Sequence, residues 1–303
     1  MAFAQGSRSQ LTYIVESTFG DTPSNPTMQE LPYNTHSINL SKEVVESDEI
    51  RSDRQTAIER HGQRQVGGDI AVDFRADEYD DLVESAMFDT FDTSGTIKVG
   101  TSPKYLTFED GALDIGYYRV FTGCAVDSWS ISVAPNQMVT STFSWVGKDQ
   151  DPITQTSLDA SPTAPTGNEP YDSFTGTIKE GGTDIAIVTS LDFTLNNSLA
   201  PTSVIGSQVT PQLEYGRGAV TGTLELYYED DSLITKFLDE TETSLEFTLD
   251  DGVSGNLYTF TFPRVKLNSG DVPVENEQSR MISMSFTALR DATESTSLKI
   301  VKS

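Results

Sequence analysis

The chain has one cysteine, Cys124, and so cannot close an internal disulfide. That excludes a secreted fold held by a cystine framework. With no His or Cys motif beside it, the thiol is expected as small buried packing. Histidine is almost as scarce: His36 and His61 are the only two. His61 stands beside Arg60 and Gly62 in a charged stretch, the usual setting of a surface residue. No Gly-x-Ser-x-Gly elbow, phosphate-cradling glycine loop, His-Glu-x-x-His pair or Cys-x-x-Cys pair occurs, which removes the commonest nucleophilic, nucleotide and zinc chemistries. No apolar run approaches the roughly 20 residues that span a bilayer, and residues 1–11 lack the apolar core of a signal peptide. No membrane insertion is expected. Cations are the last shortage: 20 Lys and Arg face 46 Asp and Glu, a formal net charge of −26. The excess is spread evenly, 11 cations against 23 acids in residues 1–150 and 9 against 23 in residues 151–303. Such a surface repels nucleic acid and argues against specific DNA binding.

What the chain does have is one pattern written twice. Val66-Gly67-Gly68-Asp69-Ile70-Ala71-Val72-Asp73-Phe74 alternates apolar and polar residues, as does Val220-Thr221-Gly222-Thr223-Leu224-Glu225-Leu226-Tyr227-Tyr228. Ile70, Val72 and Phe74 match Leu224, Leu226 and Tyr228 at a constant offset. Period two predicts strands with one face in a core. Tyr79, Leu82, Val83, Ala86 and Met87 then switch to helical spacing, and so do Leu233, Ile234, Phe237 and Leu238. The same change of period at the same place in each half predicts two copies of one domain.

The length, 303 residues, suits two domains of about 150 residues, each able to bury a core. Residues 1–36 read as an N-terminal arm, since Gly20-Asp21-Thr22-Pro23-Ser24-Asn25-Pro26 is a dense breaker run. Residues 37–150 form the first domain and 174–303 the second. Between them, residues 151–173 read as an exposed linker rich in Pro, Ser and Thr. Aromatic and β-branched runs with period two fill both domains. Echoes link them: Asp110-Gly111 with Asp251-Gly252, Phe121-Thr122 with Phe260-Thr261, and Met138-Val139 to Phe143 with Met281-Ile282 to Phe286. The fold class is mainly β: two tandem sandwiches or barrels, each with one short flanking helix.

Residues 43–66 interrupt the first domain with six acids and four arginines. A long charged excursion is functional or mobile, and interleaved Arg and carboxylate suit paired contacts with a second protein surface. The second copy has the nearly uncharged stretch 196–213 at that place. Asp80-Asp81 and Asp230-Asp231 precede the helices, where they oppose the dipole and can cap. Asp250-Asp251-Gly252 lacks the spacing of a calcium loop. No catalytic, cofactor or metal residues are assigned, and the chain is not expected to be an enzyme.

Several strings taken together resemble the major tail tube proteins of long-tailed, siphovirus-type bacteriophages, here in a duplicated-domain form. They are Glu16-Ser17-Thr18-Phe19-Gly20-Asp21-Thr22-Pro23, the run Glu46-Ser47-Asp48-Glu49-Ile50-Arg51-Ser52-Asp53-Arg54-Gln55, Arg60-His61-Gly62, Gly68-Asp69-Ile70, Phe121-Thr122-Gly123-Cys124, Pro135-Asn136 and Phe143-Ser144-Trp145-Val146-Gly147-Lys148-Asp149. The resemblance implies a structural virion protein, assembled in the host cytoplasm. It implies rings of six domains, stacked into a tube that conducts DNA without specific binding. With two domains per chain, the ring is expected to be a trimer with pseudo-sixfold symmetry. The implied partners are other copies of the chain, the tape measure protein in the bore, and the tail terminator and distal tail proteins. Glu49, Arg51, Asp53, Arg54 and Arg60 are expected to carry ring stacking. Asp69, Asp73 and Glu225 are expected to face an acidic lumen. The competing reading is a carbohydrate- or protein-binding virion adhesin, with Trp129 and Trp145 as stacking platforms.

Overall fold

The computed structural model describes residues 3–274 and 279–303. Its first half carries β1 (Ser9–Val15), β2 (Gln29–Glu30), β3 (Thr35–His36), β4 (Asn39–Glu46), β5 (Glu59–Asp73), α1 (Asp80–Met87), β6 (Thr96–Lys98), β7 (Leu106–Ala112), β8 (Tyr117–Val133), β9 (Thr140–Gly147) and β10 (Asp149–Gln150). The second carries β11 (Ile178–Glu180), β12 (Thr183–Asp184), β13 (Val188–Asn196), β14 (Ala200–Pro201), β15 (Leu213–Glu214), β16 (Ala219–Tyr227), α2 (Ser232–Leu238), β17 (Thr243–Leu249), β18 (Tyr258–Leu267), β19 (Met281–Ala288) and β20 (Lys299–Lys302). The protein is mainly β, and its named strands pair antiparallel.

The order of pairings in the first half recurs in the second. In the first, β4 pairs β5, β5 pairs β9 and β9 pairs the end of β8, while the start of β8 pairs β7 and β10, and β7 pairs β1. In the second, β13, β16, β19 and the end of β18 follow the same order, and the start of β18 pairs β17 and β20, with β11 on β17. The long strand β8 belongs to both layers because it bends: its register slips between Val126 and Ser128, and Gly123 supplies a φ of 65°.

The halves are fused rather than strung. Ser128–Val133 of β8 pairs with Leu191–Asn196 of β13, so one sheet runs β4–β5–β9–β8–β13–β16–β19 through both. A second seam joins β6 to β20. The core is continuous across the join: Trp129 stacks on Phe143 at 5.8 Å and meets Phe193 and Phe260 of the second half at 5.6 and 6.2 Å. Ile70, Val72 and Phe74 are buried with Leu224 and Leu226, as the alternation required.

Four expectations meet a different arrangement. Ser9–Val15 of the expected arm pairs along the whole of β7, burying Leu11 and Tyr13, and Met28 and Leu31 behind it are also buried. Residues 151–173 do not hang free: Thr154 bridges Tyr118, Thr163 bridges Gln29, Pro170 bridges Arg75 and Asp172 bridges Met138. Thr166 also donates to the buried Glu78 carboxylate at 2.7 Å. Extended, proline-rich backbone suits either a free linker or a strap, and composition does not tell them apart. Finally, Phe143 stands opposite Ile70 while Met284, not Phe286, stands opposite Leu224. The closing-strand echo is therefore displaced by two residues, a slip that period two cannot register because it returns every side chain to the same face. The aspartate echo fails similarly: Asp110 is a buried β7 residue bonded to Arg119, whereas Asp251 lies in the loop between β17 and β18.

Candidate assembly surfaces

Where the sheet faces away from the core, its alternate positions carry hydroxyls and carboxylates. Asp69, Ala71 and Asp73 of β5 stand opposite Ser144, Thr142 and Thr140 of β9. The row continues through Ser128, Ser130 and Ser132 of β8 to Asn196, Thr194 and Asp192 of β13. It then crosses Thr221, Thr223 and Glu225 of β16 to Thr287, Ser285 and Ser283 of β19. None of these positions holds Lys or Arg. Asp69 and Glu225 are exposed and Asp73 is half-buried. Asn34 donates to Asp73 at 2.7 Å, and Ser190 to Glu225 at 3.2 Å. The structure thus brings the three acids expected at a lumen onto one face, and adds Asp192, which sequence reasoning missed. Asp192-Phe193-Thr194 alternates as Asp69-Ile70-Ala71 does, and that alternation was the available signal.

The charged excursion is a β-hairpin. Strands β4 and β5 keep pairing out to Glu46 opposite Glu59, with a slip between Lys42 and Val44. Beyond them a loop of residues 47–58 carries Glu49, Arg51, Asp53 and Arg54, while Arg60 lies on β5 opposite Val45. Both faces of this arm are wet, so its strands show no alternation and read as loop. Val44 and Val45 are exposed, and Ile50 is fully so. Arg51 grips Asp53 through two hydrogen bonds of 3.0 and 3.2 Å, holding that carboxyl below the usual carboxylate range. The uncharged counterpart in the second half lies against the base of this hairpin. The Arg64 backbone N–H donates to the Gln208 carbonyl at 2.7 Å, and the Gln208 side chain donates to the His61 carbonyl at 2.7 Å.

Each end of the sheet is open among the described residues. β4 pairs only with β5, so its outer edge presents unpaired backbone groups. On β18, the side that carries β17 is free past Val265, although the other side continues along β19. These two edges are the counterparts of β13 and β8, which pair with each other inside the chain.

Other singled-out residues serve the fold. The Glu16 carboxylate accepts from Gly20 N–H at 2.6 Å, Thr107 Oγ1 at 2.7 Å and Gly123 N–H at 2.7 Å, and Lys148 donates to the Phe19 carbonyl at 3.2 Å. Two of the strings that carry the family resemblance therefore meet at one buried carboxylate, and a third reaches the first of them through Lys148. Cys124 is buried beside Gly147, and burial pushes its thiol up. Asp80 and Asp81 lie in the first turn of α1 without capping it. Asp81 and Glu84 receive Lys104, and Asp80 receives Lys302 and Tyr258. Asp230 accepts from Ser232 N–H at 2.8 Å at the start of α2. Trp129 and Trp145 are buried in the core, so they offer no platform for the adhesin reading.

A sheet with open edges and a cation-free polar face offers extended surfaces for assembly. The chain belongs to the phage tail tube protein family, whose model matches residues 6–288. It is thus a structural component of the virion tail. A search of curated proteins finds no match.

Proposed function

We propose that the chain is a duplicated tube unit, and that three chains close into a pseudo-sixfold ring. Such rings stack into the tail tube that conducts DNA into the host. The β8·β13 ladder carries this reading. It joins the edge strand of one unit's sheet to the opposite edge strand of the next, a head-to-tail contact that repeats until a ring closes. Repeated between chains, it sets the free edge past Val265 of one copy on the β3–β4 edge of its neighbour. Closure removes both open edges, which are otherwise templates for aggregation.

The hydroxyl and carboxylate face then lines the bore. Asp69, Asp73, Asp192 and Glu225 repel phosphate over about 8 Å at physiological salt, and the short Ser and Thr side chains leave DNA nothing to grip. The hairpin tip with Glu49, Arg51, Asp53 and Arg54, and Arg60 below it, serves ring stacking. The tape measure protein occupies the bore before ejection, and terminator and distal tail proteins close the ends, as the family resemblance suggests. Light scattering and negative-stain imaging of the purified protein test the reading. The expected result is a particle of three times the 33.1 kDa chain mass, with rings or tubes in the images. Discrete single-chain particles at all concentrations overturn it.

A further inference from the structure

The two helices are covered unequally. In α1, Leu82, Val83, Ser85, Ala86 and Met87 are all buried, whereas α2 has no buried residue and Leu238 is 71% exposed. The body of α1 packs on β8 and β6 of its own half, and side chains from the second half of the chain cover its two ends. At its C-terminal end, Asn197 donates to the Ala86 carbonyl at 2.9 Å, and the Tyr215 ring sits edge-on to Phe88 at 5.3 Å. At its N-terminal end, Tyr258 and Lys302 hold Asp80. Nothing among the described residues does the same for α2.

From these contacts and the ring reading, on which the argument rests, we infer that α2 is the seat for the first half of a second copy of this chain. The strand registers say which residues arrive. Leu40 pairs Val66 as Leu195 pairs Val220, so Lys42 takes the place of Asn197. His61 precedes Val66 by the interval that separates Tyr215 from Val220. Phe121 faces Phe108 as Phe260 faces Phe247, so Arg119 takes the place of Tyr258. The incoming surface therefore brings Lys42, His61 and Arg119, the last together with its partner Asp110. The receiving helix brings Asp231 at its start and Asp239 after its end, while its own Lys236 is paired with Glu180 and Glu240 with Lys266. Its own dipole adds negative potential at that C-terminal end, where Lys42 arrives. Apolar surface matches as well: Leu238 on the helix and Val44, 54% exposed, two residues along β4 from Lys42. Opposite charge around exposed apolar side chains fits a second copy and supplies the cover that α1 already has.

The test uses the full chain. Leu238→Asp alters an exposed side chain, so the fold stays intact by circular dichroism and thermal melting, while the trimer fraction in light scattering falls at least tenfold. Lys42→Glu and Asp239→Lys each weaken assembly, and the double variant restores it. Trimers at the wild-type level in Leu238→Asp, or a double variant no better than its parents, overturn the inference and leave the ring standing. A wild-type protein that never assembles overturns the ring itself.

Discussion

Ser130 of the first half stands directly opposite Thr194 of the second, within the ladder that fuses the two into one sheet. Their pairing matters because it makes a contact between two like units visible within one chain. The energetic weight of the seam lies one residue away, on the core side. Phe193 packs on Trp129, Phe247, Phe260 and Phe262 and is 1% exposed. Phe193→Ala is expected to cost about 3–5 kcal/mol, read as a lower urea midpoint by tryptophan fluorescence. Because both halves share this cluster, they are expected to unfold in one transition. Two separated transitions in the wild type would show the seam to be weak.

Two glycines mark equivalent crossings. A Cβ on Gly68 would lie 2.4 Å from the Ser37 carbonyl oxygen, and one on Gly222 would lie 2.4 Å from that of Asp192. Gly68 also holds a φ of 145°, which side chains rarely adopt. At Gly67 the nearest atom to an added Cβ is 3.5 Å away. Gly222→Ala is therefore expected to destabilise by about 1–3 kcal/mol through overpacking, and Gly68→Ala by a similar amount or more. Gly67→Ala is expected to stay near the wild type. Urea titration of the three variants checks the order, and equal midpoints would refute it.

The polar face predicts a charge effect. With Asp69, Asp73, Asp192 and Glu225 all changed to Lys, assembled tubes are expected to bind double-stranded DNA that wild-type tubes leave free. The binding should weaken as salt rises, because it replaces condensed counterions. Fluorescence anisotropy of a labelled fragment measures it. Variant tubes that ignore DNA at low salt would place those four positions away from the bore.

Much of this architecture was legible because it rests on local periodicity. The alternation around Ile70 and Leu224, and the helical spacing of Leu82, Val83, Ala86 and Met87, each report a buried face. The seam was not legible. Leu191-Asp192-Phe193 alternates like every neighbouring strand, and nothing local selects Ile131 as the partner of Phe193 over another strand of the same period. The hairpin arm was hidden for the opposite reason: Val44 and Val45 are adjacent and exposed, so β4 carries no alternation there. The role of Glu16 could not be read locally, because its three donors come from residues 20, 107 and 123.

The last prediction concerns pH. His36 lies beside the β7–β8 pair, with Nε2 3.6 Å from Asp110 and Nδ1 without a partner. The Tyr33 ring packs edge-on at 5.0 Å, and Arg119 shares Asp110. Burial is the largest influence and lowers the imidazole pKa; Asp110 opposes it, and Arg119 adds to it. The folded protein therefore binds the His36 proton less readily than the unfolded chain does. Its contribution to stability is complete above the unfolded value of about 6.5 and is lost as pH falls from there through the folded value. Carboxylates titrate mainly lower, near 4, so the urea midpoint should already drop between pH 7 and 5. His36→Gln removes the titrating ring and is expected to flatten that drop while keeping the acid transition near pH 4. An unchanged slope between pH 7 and 5 in the variant would mean that His36 stays as easily protonated in the folded state as in the unfolded one.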